Sequence, residues 1–211
     1  MENNEIQNDL ASIRNLMERS SKFISLSGLS GVLAGVYALA GAALAYSILY
    51  SQMSRSYTIH EISSGFALFN DSVVIQLLLI AVIVLVLSVC TGVYLSYKKA
   101  KRNGQPLLGR VSRELLFNMC VPLVAGGGLM LILLYRGYFG IIAPASLIFY
   151  GLALIGASNF TFTDVKFLGL CEIILGLLAA CLPGYGLVFW AFGFGVLHIV
   201  YGSVMYFKYD R

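Results

Sequence analysis

Six long apolar segments dominate the sequence and constrain the fold more than any other feature. Each supplies roughly the 17–25 apolar residues that a membrane-spanning helix needs. Because backbone polar groups cannot remain unpaired in lipid, such segments are expected to be helices. The spans are predicted near residues 24–50, 72–97, 114–135, 139–158, 166–182 and 185–207. The sequence therefore predicts an all-α fold, a polytopic membrane bundle of six transmembrane helices.

The composition agrees with a membrane protein. Of the 211 residues, 59% are hydrophobic and 11% are charged, whereas a soluble domain carries roughly 25% charged residues. The net charge of +4 is modest, and no basic stripe with interleaved aromatics lies outside the spans. The lipid bilayer is therefore the expected partner, and nucleic-acid binding is not expected.

The cysteines give no sign of a metal site or a redox role. None of the four has a CxxC or Cys/His spacing, and all lie inside apolar runs, at Cys90, Cys120, Cys171 and Cys181. In such places cysteine usually behaves as a small hydrophobic residue. No metal and no cofactor is predicted.

Basic residues lie mostly on one side of the predicted spans. With an even number of spans both termini share a side, which then holds twelve of the fourteen Lys and Arg residues. The two on the other side are Arg55 and Arg136. This asymmetry is the positive-inside pattern. It predicts a multi-pass protein of the bacterial cytoplasmic (inner) membrane, with both termini cytoplasmic.

The segment before the first span has the pattern of an amphipathic helix. Apolar residues recur at helical spacing along it, at Ile6, Leu10, Ile13, Leu16 and Met17. We therefore divide the chain into a cytoplasmic amphipathic helix over 1–22 and a six-span transmembrane domain over 23–211. The helix is compatible with three roles: lying on the membrane or bundle, docking a cytoplasmic protein partner, or self-association.

Small residues line one face of the first span. Ser27, Gly31 and Gly35 repeat every four residues, a spacing that lets membrane helices approach closely. Gly202 in the last span is expected to serve the same purpose. The pattern predicts helix packing within the bundle, and a homo-oligomer interface is the alternative.

The third span contains a candidate kink. Pro122 removes a helix hydrogen bond, and Gly126, Gly127 and Gly128 follow it. Interrupted helices also mark transporter and channel sites, so plain packing and a functional hinge or gate both remain open. Asn118 lies one turn before the proline, where it is able to bond to a neighbouring helix.

Two ionisable residues lie in the last apolar stretches. Glu172 lies about 9 Å and His198 about 14 Å from the cytoplasmic ends of their spans, at 1.5 Å per residue. Because the two spans are antiparallel neighbours, direct contact is feasible. A charged group at this depth is by default a functional hypothesis. Either the pair is structural, with Glu172 also able to reach Lys166 or Arg113 at the interface, or it forms a proton- or ion-handling site with Asn118.

The later hairpins resemble one another. Residues 139–158 align without gaps on 185–204, so that glycines coincide at Gly140/Gly186 and Gly156/Gly202. Spans one and five carry glycines at equal spacing, at Gly28/Gly169 and Gly35/Gly176. The pattern is compatible with three related helical hairpins.

One stretch also resembles a known family. Residues 166–207, with Gly169, Gly176, Pro183, Gly184 and Gly202, look like the helical hairpin of HdeD-type acid-resistance proteins, which are small six-span bacterial membrane proteins built from three such hairpins. The resemblance implies a non-enzymatic inner-membrane protein with a structural or stress-related role.

Two alternative functions remain. The first is a small proton- or ion-linked channel or transporter that uses Glu172 and His198. The second, more remote, follows from "GLSG" at 28–31, which resembles the Gly-x-Ser-Gly motif of rhomboid intramembrane proteases. Ser30 would then be the nucleophile and His198 the base. Ser30 lies in the first span rather than the fourth, and Gly202 follows His198 at plus four rather than plus three. We therefore predict no catalytic residue.

Overall fold

The computed structural model describes residues 27–56, 71–102 and 109–210. Within these ranges the chain forms six long helices and no strand. The helices are α1 Gly28–Ser56, α2 Asp71–Arg102, α3 Arg110–Tyr135, α4 Ile142–Ser158, α5 Asp164–Cys181 and α6 Gly186–Asp210. The predicted all-α helical bundle is confirmed.

Several helices are longer than their predicted spans. Residues 51–56, predicted to belong to an external segment, continue α1, and α2 continues to Arg102. Hydropathy marks only the lipid-buried part of a helix, whereas backbone hydrogen bonding continues into the interface. Basic residues in the last turn of α2 also suit the helix dipole. The predicted amphipathic helix over 1–22, most of the external segment 51–70 and the middle of the basic loop lie outside the described residues.

Five of the described helices are long and apolar enough to cross a membrane. They occupy Gly28–Ser51, Ser72–Arg102, Arg110–Tyr135, Phe139–Ser158 and Gly186–Asp210. Helix α5 is not among them, because its 18 residues include the charged residues Asp164, Lys166 and Glu172. The helices are those expected of an integral membrane protein, and the sixth span stays a prediction.

The helices are arranged with α4, α5 and α6 at the centre. Helix α6 packs on α1, α4 and α5, while α2 packs on α1 and α3 packs on α4. Only 6% of the spanning window of α2, and likewise of α3, is buried. The two outer helices therefore present apolar side chains outward, as helices in contact with lipid do.

Tight turns join the later helices, as the sequence predicts. Gly137 lies between α3 and α4 with φ 79°, and Gly184 lies between α5 and α6 with φ 93°. Residues with a side chain rarely adopt this left-handed backbone conformation, which glycine reaches without steric cost. Both turns therefore depend on glycine, and they hold each helix pair antiparallel.

Close glycine contacts recur at two helix interfaces. A Cβ on Gly35 of α1 would lie 2.6 Å from the Gly195 carbonyl oxygen of α6. A Cβ on Gly176 of α5 would lie 2.9 Å from the Pro144 carbonyl oxygen of α4. The α1–α6 and α5–α4 interfaces are therefore built alike. The predicted packing residue Gly31 also lies at the first interface.

The same interfaces show which residues are equivalent in α4 and α6. A Cβ on Gly28 would lie 2.7 Å from the Gly202 oxygen, and a Cβ on Gly169 would lie 2.7 Å from the Gly151 oxygen. Gly28 and Gly169 thus play matching roles, as their equal spacing suggests. Their partners Gly202 and Gly151 each close an Ile-x-Tyr-Gly sequence, at 199–202 and 148–151.

The predicted alignment of α4 on α6 was therefore wrong in register. It paired Gly156 with Gly202, but Gly156 faces α3, where a Cβ would lie 3.1 Å from the Asn118 carbonyl oxygen. A Cβ on Gly140 would meet nothing within 4 Å, whereas one on Gly186 would meet Ala143. The alignment followed glycines near the turns, and the helix interfaces use a different register.

Candidate functional site

The structure brings Glu172 of α5 and His198 of α6 together. Glu172 Oε1 lies 3.4 Å from His198 Nδ1, and the two side chains are 0% and 8% exposed. Their similar depths in adjacent spans make contact feasible, and the structure shows that the pair is in contact and enclosed.

Both ring nitrogens of His198 have hydrogen-bond partners. Nδ1 lies 3.0 Å from the Gly193 carbonyl oxygen, and Nε2 lies 2.8 Å from the Tyr150 hydroxyl of α4. A carbonyl only accepts, so Nδ1 donates. In a neutral imidazole the other nitrogen is then an acceptor, so the Tyr150 hydroxyl donates to it. A neutral histidine satisfies this network completely.

The Glu172 carboxyl group is accommodated differently. Both of its oxygens are buried, and neither has a hydrogen-bond partner among the described residues. A Cβ on Gly193 would lie 2.5 Å from Glu172 Oε2 and 2.6 Å from Leu147 Cδ2. Gly193 therefore leaves the space that the carboxyl group fills. Burying a polar group without a hydrogen bond is costly. The unpaired Glu172 carboxyl group therefore makes this cluster the candidate functional site.

Helix α6 has an unusual winding immediately before His198. Residues Ala191–Leu197 form a π-helix between two α-helical segments, Gly186–Trp190 and His198–Met205. Such segments are rare and frequently occur at functional sites. This one includes Gly193, whose carbonyl accepts from the His198 ring and whose missing side chain makes room for Glu172.

Aromatic rings cover the cluster formed by Tyr150, Glu172 and His198. The Phe194 ring lies 5.0 Å from the Tyr150 ring and 5.9 Å from the His198 ring, measured between centroids. Trp190 in turn lies 5.1 Å from Phe194. The Tyr150–Glu172–His198 cluster therefore joins three helices in an apolar setting.

The other residues proposed for a polar site do not join this cluster. The Asn118 side-chain amide donates to the Glu114 carbonyl oxygen of its own helix, at 2.8 Å. Helix α3 is continuous through Pro122. Gly126 is covered by Phe149, whereas a Cβ on Gly127 or Gly128 would meet nothing within 4 Å.

The serine of the protease hypothesis is not paired with His198. The Ser30 hydroxyl donates to the Ser27 carbonyl oxygen, at 2.6 Å. The His198 ring is bonded to Tyr150 and Gly193 instead. The described residues also contain no group of three or more potential metal ligands, and all four cysteines are free.

A second polar cluster, at the end of the bundle, was missed by sequence reasoning. Asp210 accepts hydrogen bonds from the Gly28 amide at 2.8 Å and the Ser27 hydroxyl at 3.1 Å, and it pairs with Lys99. The end of α6 thereby caps the start of α1 and contacts the end of α2. Lys208 pairs with Asp164 at the start of α5, at 2.9 Å.

Replacing Asp210 by Ala is expected to lower the free energy of unfolding by about 2 kcal/mol, because a helix cap and a charged hydrogen bond are lost together. Unfolding in detergent micelles measures the change. Lys208→Gln is the matched control. The Lys208 side chain is 53% exposed, and an exposed ion pair contributes about 0–1 kcal/mol. Equal losses in the two variants would contradict the capping role.

Replacing Tyr150 by Phe is expected to lower the free energy of unfolding by about 1–3 kcal/mol, because His198 Nε2 is left buried without a donor. Tyr138→Phe removes the hydroxyl from a residue that is 58% exposed and should change little. If the two variants unfold alike, the Tyr150 hydroxyl is not the partner that satisfies His198.

Comparisons with known proteins give no further guide. No family model, no curated protein and no solved structure matches the chain. The fold and its apolar helices define the class, an integral membrane protein of all-α architecture. Any narrower statement must come from the cluster itself.

Proposed function

We propose that the protein is a non-enzymatic, six-span protein of the bacterial inner membrane, in which the Tyr150–Glu172–His198 cluster fastens α4, α5 and α6 together. A structural or stress-related role is what the resemblance to HdeD-type proteins implies. The observation that carries the proposal is the enclosure of the cluster. His198 has local partners for both nitrogens, and the Glu172 side chain is 0% exposed.

Helix geometry supports a sixth span. Helix α5 has 18 residues, which at 1.5 Å per residue gives about 27 Å, close to the thickness of the hydrocarbon core. Asp164 and Lys166 lie at its first turn, where an interface would place them, so Glu172 is the one acidic or basic residue in the apolar remainder of α5. Helix α5 also packs antiparallel to both α4 and α6, as a spanning helix between two spanning neighbours does.

The placement of helix ends supports a common side for both termini. Lys99 contacts Asp210, and Lys208 contacts Asp164. The start of α1, the end of α2, the start of α5 and the end of α6 therefore share one face of the bundle. This face carries most of the basic residues, and the positive-inside pattern makes it cytoplasmic. A partner for residues 1–22 and a homo-oligomer remain predictions.

A proton- or ion-linked channel or transporter is the second candidate. The observation in its favour is the Glu172 carboxyl group, which has no hydrogen-bond partner among the described residues. Transport, however, needs a route by which water or an ion reaches the site. A side chain with 0% exposure touches no water-sized space, and Asn118 lies outside the cluster. Fastening is therefore the function that we favour.

Flux measurements in proteoliposomes test this choice. The purified wild type, Glu172→Gln and His198→Ala are reconstituted at equal protein density, and proton and cation flux is compared with that of empty liposomes. We expect no flux above empty liposomes for any of the three, and lower thermal stability for His198→Ala. Flux in the wild type that both substitutions abolish would make the cluster a transport site and overturn the proposal.

A further inference from the structure

We propose that Glu172 is an intramembrane proton-binding site, a carboxylic acid that stays un-ionised while the bundle is closed and ionises when α6 separates from α4 and α5. The inference rests on the proposed fastening role of the cluster and names what regulates it. Its ligand is the proton. Its consequence is a helix junction whose strength depends on pH.

An ionised carboxylate at Glu172 would be costly. The Glu172 side chain is 0% exposed, and its two oxygens have no hydrogen-bond partner among the described residues. Even after relaxation, burying an ion costs several kcal/mol unless a counter-ion and hydrogen bonds compensate. An un-ionised carboxyl group avoids most of this cost. The enclosure therefore favours the acid over the carboxylate.

An ionised Glu172 would need a counter-ion close by. The titratable groups that face Glu172 from the helices packed against it are Tyr150 on α4 and His198 on α6. On its own helix, Lys166 is exposed and lies about 9 Å away along the axis. Among the described residues, His198 alone is therefore placed to supply a positive charge.

The hydrogen bonds of His198 suit a neutral ring. The Nδ1 proton is used by the Gly193 carbonyl oxygen at 3.0 Å, closer than the Glu172 oxygen at 3.4 Å. Nε2 accepts the proton of the Tyr150 hydroxyl at 2.8 Å. A second ring proton on Nε2 would turn the Tyr150 oxygen from donor into acceptor, and the hydroxyl proton would lose its present partner. The hydrogen bonds of His198 are thus complete while the ring is uncharged.

The Glu172 carboxyl group ionises only in an arrangement that is more open to water. Water must reach it, which requires the π-helical part of α6 that lies against it, Ala191–Leu197, to move away. Such a winding is rare and frequently occurs at functional sites. The open arrangement lets the carboxyl group ionise, while the closed arrangement keeps its proton. By linkage, raising the pH therefore favours opening, and lowering the pH favours the closed bundle.

Infrared spectroscopy of the full-length protein in lipid tests the protonation state. We expect the wild type at neutral pH to show the carbonyl stretch of an un-ionised carboxylic acid, and this band to disappear reversibly as the pH rises. The band should be absent from Glu172→Gln and retained in Glu114→Gln, which changes an exposed glutamate of α3. Absence of the band in the wild type at neutral pH would overturn the proposal.

A carbon-13 label on glutamate carboxyl groups keeps the test decisive if Glu172→Gln does not fold. A band that shifts with this label belongs to a glutamate, and its pH dependence is then measured in the wild type. Flux in the earlier assay would contradict the fastening role whatever the band shows. A missing band without flux would contradict only the proton site, so the two failures are distinguishable.

Amide hydrogen exchange tests the opening itself. After correction for the intrinsic pH dependence of exchange, we expect amides of α6 around His198 to lose protection in the wild type as the pH rises. In Glu172→Gln the side chain cannot ionise, so protection should stay constant over the same range. Equal pH dependence in the two proteins would show that Glu172 does not control opening, and the proposal would be wrong.

Discussion

Replacing Gly202 by Leu is expected to separate α1 from α6 and to lower the free energy of unfolding by more than about 3 kcal/mol, above the usual range for overpacking. A Cβ at this position would lie 2.5 Å from the Val32 amide nitrogen and 2.8 Å from the Gly28 carbonyl oxygen. These are backbone atoms, which cannot rotate away as a side chain can. The helices themselves must therefore move apart. Thermal unfolding in detergent, followed by size-exclusion chromatography, measures the loss.

Gly127→Leu provides the matched control. Gly127 also lies inside a predicted span, and a Cβ there would meet nothing within 4 Å. The same substitution should therefore leave the unfolding temperature nearly unchanged. If both variants lose stability equally, the cost comes from removing a helix glycine in general, and the close approach of α1 and α6 does not explain it.

Replacing His198 by Ala is expected to lower the free energy of unfolding by about 3–5 kcal/mol. The substitution leaves a cavity and removes the partner of the Tyr150 hydroxyl and of the Gly193 carbonyl group. It also removes the Nδ1 atom that lies 3.4 Å from a Glu172 carboxyl oxygen. Three helices meet here, so the loss should affect the whole centre of the bundle.

Val200→Ala is the control for His198→Ala. Val200 lies two residues further along α6 and is 50% exposed, so truncation there removes few contacts. Chemical unfolding of the two variants in the same detergent compares them. A loss below about 1 kcal/mol for His198→Ala would mean that the cluster contributes little, and the fastening role would have to be abandoned.

Hydropathy predicted the helices well because the bilayer fixes the length of a spanning segment. It could not predict their ends, since a helix continues into the polar interface wherever its residues allow. Lys99 illustrates the point. It belongs to the basic loop by composition, but it lies in the last turn of α2, where it contacts Asp210.

The contact between Glu172 and His198 could be anticipated from depth alone, because α5 and α6 are joined by a short turn. Tyr150 could not, since nothing local in the sequence says that α4 packs against this part of α6. A repeated Ile-x-Tyr-Gly sequence, which ends at Gly151 and at Gly202, was the available signal. An alignment based on the glycines near the turns does not superimpose these two sequences.

Asn118 and Asp210 show the limits of reasoning from residue type. Asn118 was grouped with the polar site because polar residues in a span are rare, yet its side chain is satisfied within its own helix. No pattern in the sequence singles out Asp210, because one acidic residue beside a basic one is common at the end of a helix. Its role as the cap of α1 depends on the path of α6, which only the three-dimensional structure supplies.

The most direct measurement is the nitrogen-15 NMR spectrum of the His198 ring in the lipid-embedded protein. The chain contains two histidines, so a His60→Gln variant leaves a single ring to observe. We predict one protonated and one unprotonated ring nitrogen at neutral pH, the signature of a neutral ring that donates from Nδ1 and accepts at Nε2. Two protonated nitrogens would reveal an imidazolium beside an ionised Glu172, and would contradict an uncharged junction between α4, α5 and α6.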